Sequence, residues 1–127
     1  IQDHALRMLL LVIADAAHPS FDDRIAKAST LIDSDLGRKW TLEELGDSSG
    51  LSPSQFSRLF SKQYGEPPIR NLINRRMKEA KRLVLETNLS LHEISAQLGY
   101  ENQSFFERQF LKRVGFAPEA LRRSRAI

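Results

Sequence analysis

The feature that most constrains this chain is an internal duplication. Residues 41–50, TLEELGDSSG, align with residues 90–99, SLHEISAQLG, at an offset of 49. Residues 56–68, FSRLFSKQYGEPP, align with residues 106–118, FERQFLKRVGFAP, at an offset of 50, so the second copy carries one extra residue in its turn. Because an array of stacked repeats normally needs three or more copies, two copies indicate a pair of similar units rather than a solenoid.

Each copy has the signals of two helices joined by a tight turn. Capping-box spacing, in which a hydroxyl and a carboxylate bond each other's free backbone N–H groups, occurs twice: Thr41 with Glu44, and Ser90 with Glu93. Caps at Ser52, followed by Pro53, and at Asn102 begin the second helices. Glycines at positions 50, 65, 99 and 115 are placed to end the four helices. Each copy is therefore predicted to be a helix-turn-helix, over about 41–65 and about 90–115.

The remaining segments also predict helices. A long amphipathic helix from Pro68 to about Glu86, about 27 Å long at 1.5 Å per residue, joins the two copies. Other helices are expected over 22–36 and 118–125, and no segment has the pattern of a strand. The predicted fold is all-α, with about seven helices forming two helix-turn-helix subdomains joined by a linker helix in a homeodomain-like arrangement.

Residues 1–17 predict an extra N-terminal helix with an apolar stripe at Leu6, Leu9, Leu10 and Ile13. We expect residues 1–20 to be either the end of a missing N-terminal regulatory or dimerisation domain or a linker helix, and residues 21–127 to be the domain proper. Two partners for the stripe are open, this domain and another chain.

Composition excludes several classes of function. The chain has no cysteine, so it has no disulfide, thiolate zinc site or cysteine nucleophile. Its three histidines are far apart, and neither a metal site nor any other cofactor is expected. No Ser/His/Asp or paired-carboxylate constellation indicates an enzyme. No apolar run approaches the roughly 18 residues that a membrane span requires, so no membrane partner is expected.

Positive charge is concentrated in two blocks. Residues 53–82 contain eight Lys and Arg against two Asp and Glu, and residues 103–127 contain six against two. Residues 1–52 are acidic, with five against nine. Basic blocks placed on both copies indicate a surface that binds a polyanion, the alternative being an ordinary solvated basic surface. A double-stranded DNA partner fits the helix-turn-helix pattern.

A polar stripe on the second helix of the first copy is the candidate base-reading surface. An α-helix fits the DNA major groove and reaches base edges with its N-terminal half. The stripe consists of Ser54, Gln55, Ser57 and Arg58. Gln55 suits the N6/N7 edge of adenine, and Arg58 suits the O6/N7 edge of guanine. The alternative is an ordinary solvated helix face.

The matching positions of the second copy are Gln103, Ser104, Phe105, Glu107 and Arg108. Phe105 precedes the expected core residue Phe106, so we expect it to face outward toward a thymine methyl group or a sugar edge, the alternative being a place in the core. Glu107 either accepts from cytosine N4 or pairs with Arg108 or Arg113. We expect this half to be the less sequence-demanding one.

Flanking cations are the candidate phosphate contacts. Each phosphate neutralised adds about 0.9 to the slope of log affinity against log salt. The candidates on the linker helix and the second helices are Lys62, Arg75, Arg76, Lys78, Lys81, Arg82, Lys112 and Arg113.

Residues 41–68 and the segment MKEAKRLVLETNLSLHEISAQLGYENQSFFERQFLKRVGFAP, 77–118, resemble the DNA-binding domain of AraC/XylS-type bacterial transcription regulators, over about 21–125. The resemblance implies a seven-helix fold that inserts two recognition helices into successive major grooves. Family base-reading positions fall on Ser54, Ser57, Arg58, Gln103, Phe105 and Arg108. It also implies RNA polymerase as a partner of an activator, a missing N-terminal effector-binding domain, a homodimer in the full-length protein, and a cytoplasmic, nucleoid-associated location.

Three positions depart from the family pattern. Pro67 and Ala117 replace the serine or threonine that usually caps the helices after Gly65 and Gly115, at a cost of about 1 kcal/mol each. Gly46 stands where the family usually has alanine, which is expected to weaken the first short helix by about as much.

The alternative function is a helical protein-interaction module without specific DNA readout. RNA binding is a weaker alternative, because a stacking sheet and a GXXG loop are absent.

Overall fold

The computed structural model describes residues 21–125, which form seven helices. They are α1 (Asp23–Ser34), α2 (Leu42–Ser49), α3 (Pro53–Tyr64), α4 (Pro68–Glu86), α5 (Leu91–Gln97), α6 (Gln103–Val114) and α7 (Pro118–Ser124). The all-α prediction is confirmed, and no strand occurs within 21–125. The predicted extra N-terminal helix lies outside the described residues. No helix in the described range is both long enough and apolar enough to cross a membrane.

The first lobe consists of α1, α2, α3 and the beginning of α4. Its aromatic centre is Phe56 and Phe60 from α3, whose rings lie 5.7 Å apart. The buried residues of this core are Ile25, Ala28, Ile32, Trp40, Leu45, Phe56, Phe60 and Leu72. Because α3 buries its aromatic side, the opposite side of the helix remains at the surface.

The second lobe consists of the rest of α4 with α5, α6 and α7. Phe106 and Phe110 of α6 repeat the aromatic pair at 5.9 Å. The buried residues of this core are Met77, Ala80, Leu83, Val84, Leu91, Ile94, Leu98, Phe106 and Phe110. The linker helix α4 therefore supplies Leu72 to one core and Met77 onward to the other, and Leu36 packs against both cores.

The predicted cap residues accept from backbone N–H groups as expected, but the return hydrogen bond from the glutamate side chain to the cap N–H is missing in both predicted capping boxes. Thr41 accepts from the Glu44 N–H at 3.1 Å, but the Glu44 carboxylate bonds Arg38 instead of returning to Thr41. Ser90 accepts from the Glu93 N–H at 3.0 Å. A complete box occurs at Ser52, where no carboxylate is present: Ser52 accepts from the Gln55 N–H at 3.1 Å, and the Gln55 side-chain oxygen accepts from the Ser52 N–H at 3.0 Å. The prediction of complete boxes at Thr41 and Ser90 is wrong in this respect.

The glycines predicted at the helix ends have the left-handed conformation that such positions need, whereas the prediction for the glycine within α2 has to be corrected. Glycines 50, 65, 99 and 115 all have positive φ, and Pro67 and Ala117 provide no side-chain cap. Gly46, however, is not merely a weak helix former. A Cβ there would lie 2.6 Å from the backbone oxygen of Leu51, because the turn crosses directly over α2. Alanine does not fit this position unless the turn moves.

Candidate nucleic-acid interface

The helix α3 presents the first predicted polar stripe at the surface. Ser54, Gln55 and Arg58 are exposed and Ser57 is partly buried, whereas Phe56 and Phe60 are fully buried. The stripe and the aromatic core thus occupy opposite sides of one helix. Such a surface can enter a groove without uncovering the core.

Gln55 has a second role that the sequence analysis missed. Its side-chain oxygen already accepts from the Ser52 N–H, which directs the amide toward the beginning of α3. The amide NH2 group still has donors for a base edge. A two-bond contact with adenine, however, must share or break the capping bond, and a lost N-cap interaction costs about 1 kcal/mol.

The helix α6 presents the second predicted set, with one internal pairing. Ser104 and Arg108 are exposed, and the Gln103 amide donates to the Glu107 carboxylate at 3.3 Å. Within residues 21–125 Glu107 forms no ion pair with Arg108 or Arg113. Glu107 is therefore oriented by its neighbour one helical turn away, which is a third arrangement beside the two expected.

Phe105 is on the surface, with 49% of its area exposed. The guanidinium carbon of Arg108 lies 5.9 Å from the centre of its ring, and the Tyr100 ring lies 6.1 Å away on the turn. Phe105 and Arg108 thus form an exposed aromatic–cation pair on α6. The alternative of a core position for Phe105 does not describe this structure.

Two of the predicted phosphate contacts have protein partners instead. Arg75 is largely covered and bonds the Ser29 backbone oxygen at 3.0 Å, the Ser29 hydroxyl at 2.7 Å and Asp33 at 3.0 Å, which joins α4 to α1. Arg76 bonds the backbone oxygens of Leu36 at 2.7 Å and Arg38 at 2.9 Å. Burial lowers the pKa of Arg76 from its usual value. These guanidinium groups stabilise the fold, and charge density alone did not distinguish them from surface cations.

The other predicted phosphate contacts are at the surface. Lys62, Lys78, Lys81 and Lys112 are exposed and form no ion pair in the described part of the chain. Lys78 and Lys81 line a recess of about 290 Å³ together with Arg113. Three cations around one recess make a surface suited to an anion.

Arg82 and Arg113 are at the surface with neighbours of their own. Arg82 bonds Glu79 at 2.7 Å, which lowers the pKa of the Glu79 carboxyl, and it lies 3.8 Å from Glu86. Arg113 donates to the Asn74 side-chain oxygen at 2.8 Å. Because exposed ion pairs contribute little stability, Arg82 can exchange its partners for a phosphate at small cost.

The C-terminal basic block contains two arginines that close the second lobe. Arg122 donates to the backbone oxygens of Val84 at 3.1 Å and Leu89 at 2.5 Å, and Arg125 donates to Val84 at 3.0 Å. These oxygens lie at or beyond the end of α4, where a helix leaves carbonyls without partners. The sequence carried a signal, because no glycine and no basic residue ends this long helix.

The matching family is described as "Helix-turn-helix domain", and its model covers residues 45–124. The uncharacterized HTH-type transcriptional regulator YdiP of Escherichia coli is 44% identical over 85 residues, which are 67% of this chain and 28% of that protein. The arabinose operon regulatory protein of Salmonella typhimurium is 30% identical over 122 residues, 92% of this chain and 43% of that protein. The chain thus spans less than half the length of these curated relatives.

Solved structures have the same arrangement of helices. The C-terminal domain of AraT, a response regulator from Geobacillus stearothermophilus, has a TM-score of 0.78 and 32% identity, covering 84% of this chain and 88% of that one. The DNA-binding domain of AdpA, solved in complex with a target DNA, has a TM-score of 0.76, covering 81% and 93%. Because the sequence identity to the AdpA domain is 24%, this match supports the fold alone. The two helix-turn-helix lobes on one linker helix, the matching family model and these relatives show that the chain belongs to the AraC/XylS family of helix-turn-helix domains.

Proposed function

We propose that this chain binds double-stranded DNA sequence-specifically by placing α3 and α6 in successive major grooves on one face of the duplex. The observation that carries the proposal is the matched surface of the two helices. Each buries a phenylalanine pair on one side and exposes a polar stripe on the other. A linker helix that contributes to both hydrophobic cores supports the two helices on one body.

The base-reading groups are proposed to differ between the helices. On α3 they are Ser54, Gln55, Ser57 and Arg58, with Arg58 the strongest candidate because it is exposed and has no ion-pair partner in the described residues. On α6 they are Gln103, Ser104, Phe105, Glu107 and Arg108. The Phe105–Arg108 pair offers an apolar edge to a thymine methyl and donors to guanine.

The phosphate contacts are proposed for the cations that remain at the surface: Lys62, Lys78, Lys81, Arg82, Lys112 and Arg113. Arg75 and Arg76 are assigned to holding the domain together, because their donors already bond protein oxygens. The salt dependence of binding should therefore follow the surface set.

The whole protein is proposed to regulate transcription through further parts that its relatives are long enough to contain. In this proposal an N-terminal domain binds an effector and forms a homodimer, and the DNA-bound protein activates by contacting RNA polymerase. The location that suits such a protein is the bacterial cytoplasm, associated with the nucleoid.

The test is selection from randomised duplexes with the wild-type domain, Arg58→Ala and the matched control Lys62→Ala, one turn further along α3. Arg58→Ala should lose preference at one or two base pairs, worth about 1–3 kcal/mol of discrimination. Lys62→Ala should keep the selected sequence, bind all duplexes more weakly and lose about 0.9 of salt slope. Uniform weakening by Arg58→Ala would make it a phosphate contact. The alternative, a protein-interaction module, predicts no salt-dependent DNA binding by any variant.

A further inference from the structure

The two lobes contact each other through backbone atoms at two glycines. Gly37 lies in the segment between α1 and α2, and Gly99 lies in the turn after α5. A Cβ on Gly37 would be 2.2 Å from the Gln97 backbone oxygen, and a Cβ on Gly99 would be 2.5 Å from the Gly37 backbone oxygen. Contacts under 3.0 Å with backbone atoms require the backbone to move. The two lobes can approach this closely only because both positions are glycine.

Arg76 holds the same contact from the linker helix. Its Nε donates to the Leu36 backbone oxygen at 2.7 Å, and its Nη2 donates to the Arg38 backbone oxygen at 2.9 Å. The two bonds bracket Gly37. The guanidinium carbon also lies 5.8 Å from the ring centre of Tyr100, the residue after Gly99. One side chain therefore contacts the interlobe segment of the first lobe and the helix-turn-helix turn of the second.

A second connection joins the ends of the two recognition helices. Glu66 follows α3 and accepts from the Asn74 amide at 3.0 Å, while the Asn74 side-chain oxygen accepts from Arg113, near the end of α6, at 2.8 Å. Asn71 also donates to Glu66 at 2.9 Å. The relative position of α3 and α6 is therefore determined by two sets of contacts in addition to the linker helix.

We propose that Arg76, Gly37 and Gly99 form an interlobe latch that fixes the angle and separation of α3 and α6, and thereby sets the spacing between half-sites that the domain accepts on DNA. The proposal rests on the proposed function for its effect on DNA, but the geometry itself is testable without DNA. Arg76 is here a positioning residue. It touches no base or phosphate in this account, and it acts through the segments that it holds together.

The physical consequence of a latch is a high effective concentration of the second recognition helix once the first is bound. Linking two binding elements raises the overall affinity by about 10²–10⁴ when their geometry matches the two sites, and the gain falls when the connection loosens or mismatches. Loosening the latch should therefore weaken binding to the complete site while leaving each half-site intact. Tolerance for altered spacing should increase.

The DNA experiment compares Gly37→Ala, Arg76→Met and the control Arg70→Met on duplexes with the complete site, with one or two inserted base pairs, and with either half scrambled. The first two variants should bind the complete site about tenfold more weakly and discriminate less against inserted base pairs, with half-site affinities unchanged. Arg70→Met removes one charge from an exposed position of α4 and should keep the wild-type spacing preference. An unchanged spacing preference in folded Gly37→Ala and Arg76→Met would overturn the latch, as would parallel loss of half-site binding.

The DNA-free experiment uses the absence of cysteine. Ser61→Cys and Leu111→Cys place spin labels at corresponding positions of α3 and α6, and pulsed electron resonance reports the distribution of distances between them. The latch predicts a narrow distribution that broadens or shifts in Gly37→Ala and Arg76→Met. A distribution identical in all variants overturns the latch. Failure of the wild-type domain to bind any duplex with salt dependence would overturn the proposed function instead, and leave this measurement as the test of the geometry.

Gly115→Ala is a matched control for Gly99→Ala as a test of the interlobe contact. Gly99 and Gly115 have similar left-handed φ values of 88° and 96°, so alanine is strained at both. Only at Gly99 would the added carbon also strike the other lobe, since a Cβ on Gly115 has no neighbour within 4 Å. Gly99→Ala should change the label distances and the spacing preference, whereas Gly115→Ala should lower stability alone. Equal distance changes in the two variants would contradict the latch.

Discussion

The substitution Gly46→Ala tests the close contact between α2 and the turn of the first lobe. The aligned position of the second copy is Ser95, which is buried and carries a side chain. The second turn is one residue longer, which we take as the reason that a side chain fits there. In the first lobe a Cβ at position 46 would lie 2.6 Å from the Leu51 oxygen and 3.2 Å from the Ser52 carbonyl carbon.

Two opposing effects give the magnitude. Alanine in place of glycine gains about 1 kcal/mol of helix propensity. Forcing an extra carbon into a packed site costs about 1–3 kcal/mol. We therefore expect Gly46→Ala to lower the free energy of unfolding by about 1 kcal/mol, which lowers Tm by about 4–8 °C in a domain of this size. Propensity alone predicts the opposite sign.

The assay is thermal and urea unfolding of wild type, Gly46→Ala, and both proteins with one glycine inserted between Leu51 and Ser52. If the short turn is the cause, the insertion should remove most of the penalty of Gly46→Ala, because it gives the first turn the length of the second. A rise in Tm for Gly46→Ala in the uninserted protein would refute the reasoning. An equal penalty in both backgrounds would refute the role of turn length.

Hydrogen bonds after α4, after α3 and at the start of α3 each contribute to the stability of the domain. Arg122→Met should lower the free energy of unfolding by about 2 kcal/mol in urea titrations, because the Leu89 backbone oxygen loses its charged donor while Val84 keeps only the bond from Arg125. The matched variant Arg123→Met, at an exposed position, should not have this effect. Hydrogen bonds from Asn71 and Asn74 lower the pKa of the Glu66 carboxyl in the folded protein. The ionised carboxylate therefore contributes stability above its ordinary pKa of 4.5, and this contribution is lost as pH falls through the lowered folded pKa. Glu66→Gln should reduce the slope with which the free energy of unfolding falls on the acid side. Gln55→Ala should lower Tm as well as DNA affinity, because its side chain completes the α3 capping box, while Ser54→Ala should affect affinity alone.

Much of the fold could be predicted because its signals are local. The helices α2 and α3 begin and end at the predicted residues, since Thr41, Ser52, Gly50 and Gly65 act on backbone groups within a few positions of themselves. Gly46 was misjudged because its constraint comes from a turn that crosses over the helix. A propensity scale describes an isolated helix and contains no information about such an approach.

The candidate site was predictable in its polar stripes and less so in its cations. Ser54 and Arg58 follow from helical periodicity around Phe56, which alone assigns them to the outside. Arg75 and Arg76 have the same sequence context as surface cations, yet the guanidinium of each turns back to backbone oxygens more than 35 residues away in the chain. A count of charges along the sequence does not reveal these long-range partners. The basic blocks therefore suggest more exposed positive charge for DNA than the folded domain has.

The central claim is that both recognition helices contact one face of a single duplex. The direct measurement is hydroxyl-radical footprinting with missing-base interference on a selected site, for wild type, Arg58→Ala and Arg108→Ala. The account predicts two protected patches whose centres are about 10–10.5 base pairs apart on the same face, with Arg58→Ala removing interference in one patch and Arg108→Ala in the other. A single patch, or two patches on opposite faces, would contradict it.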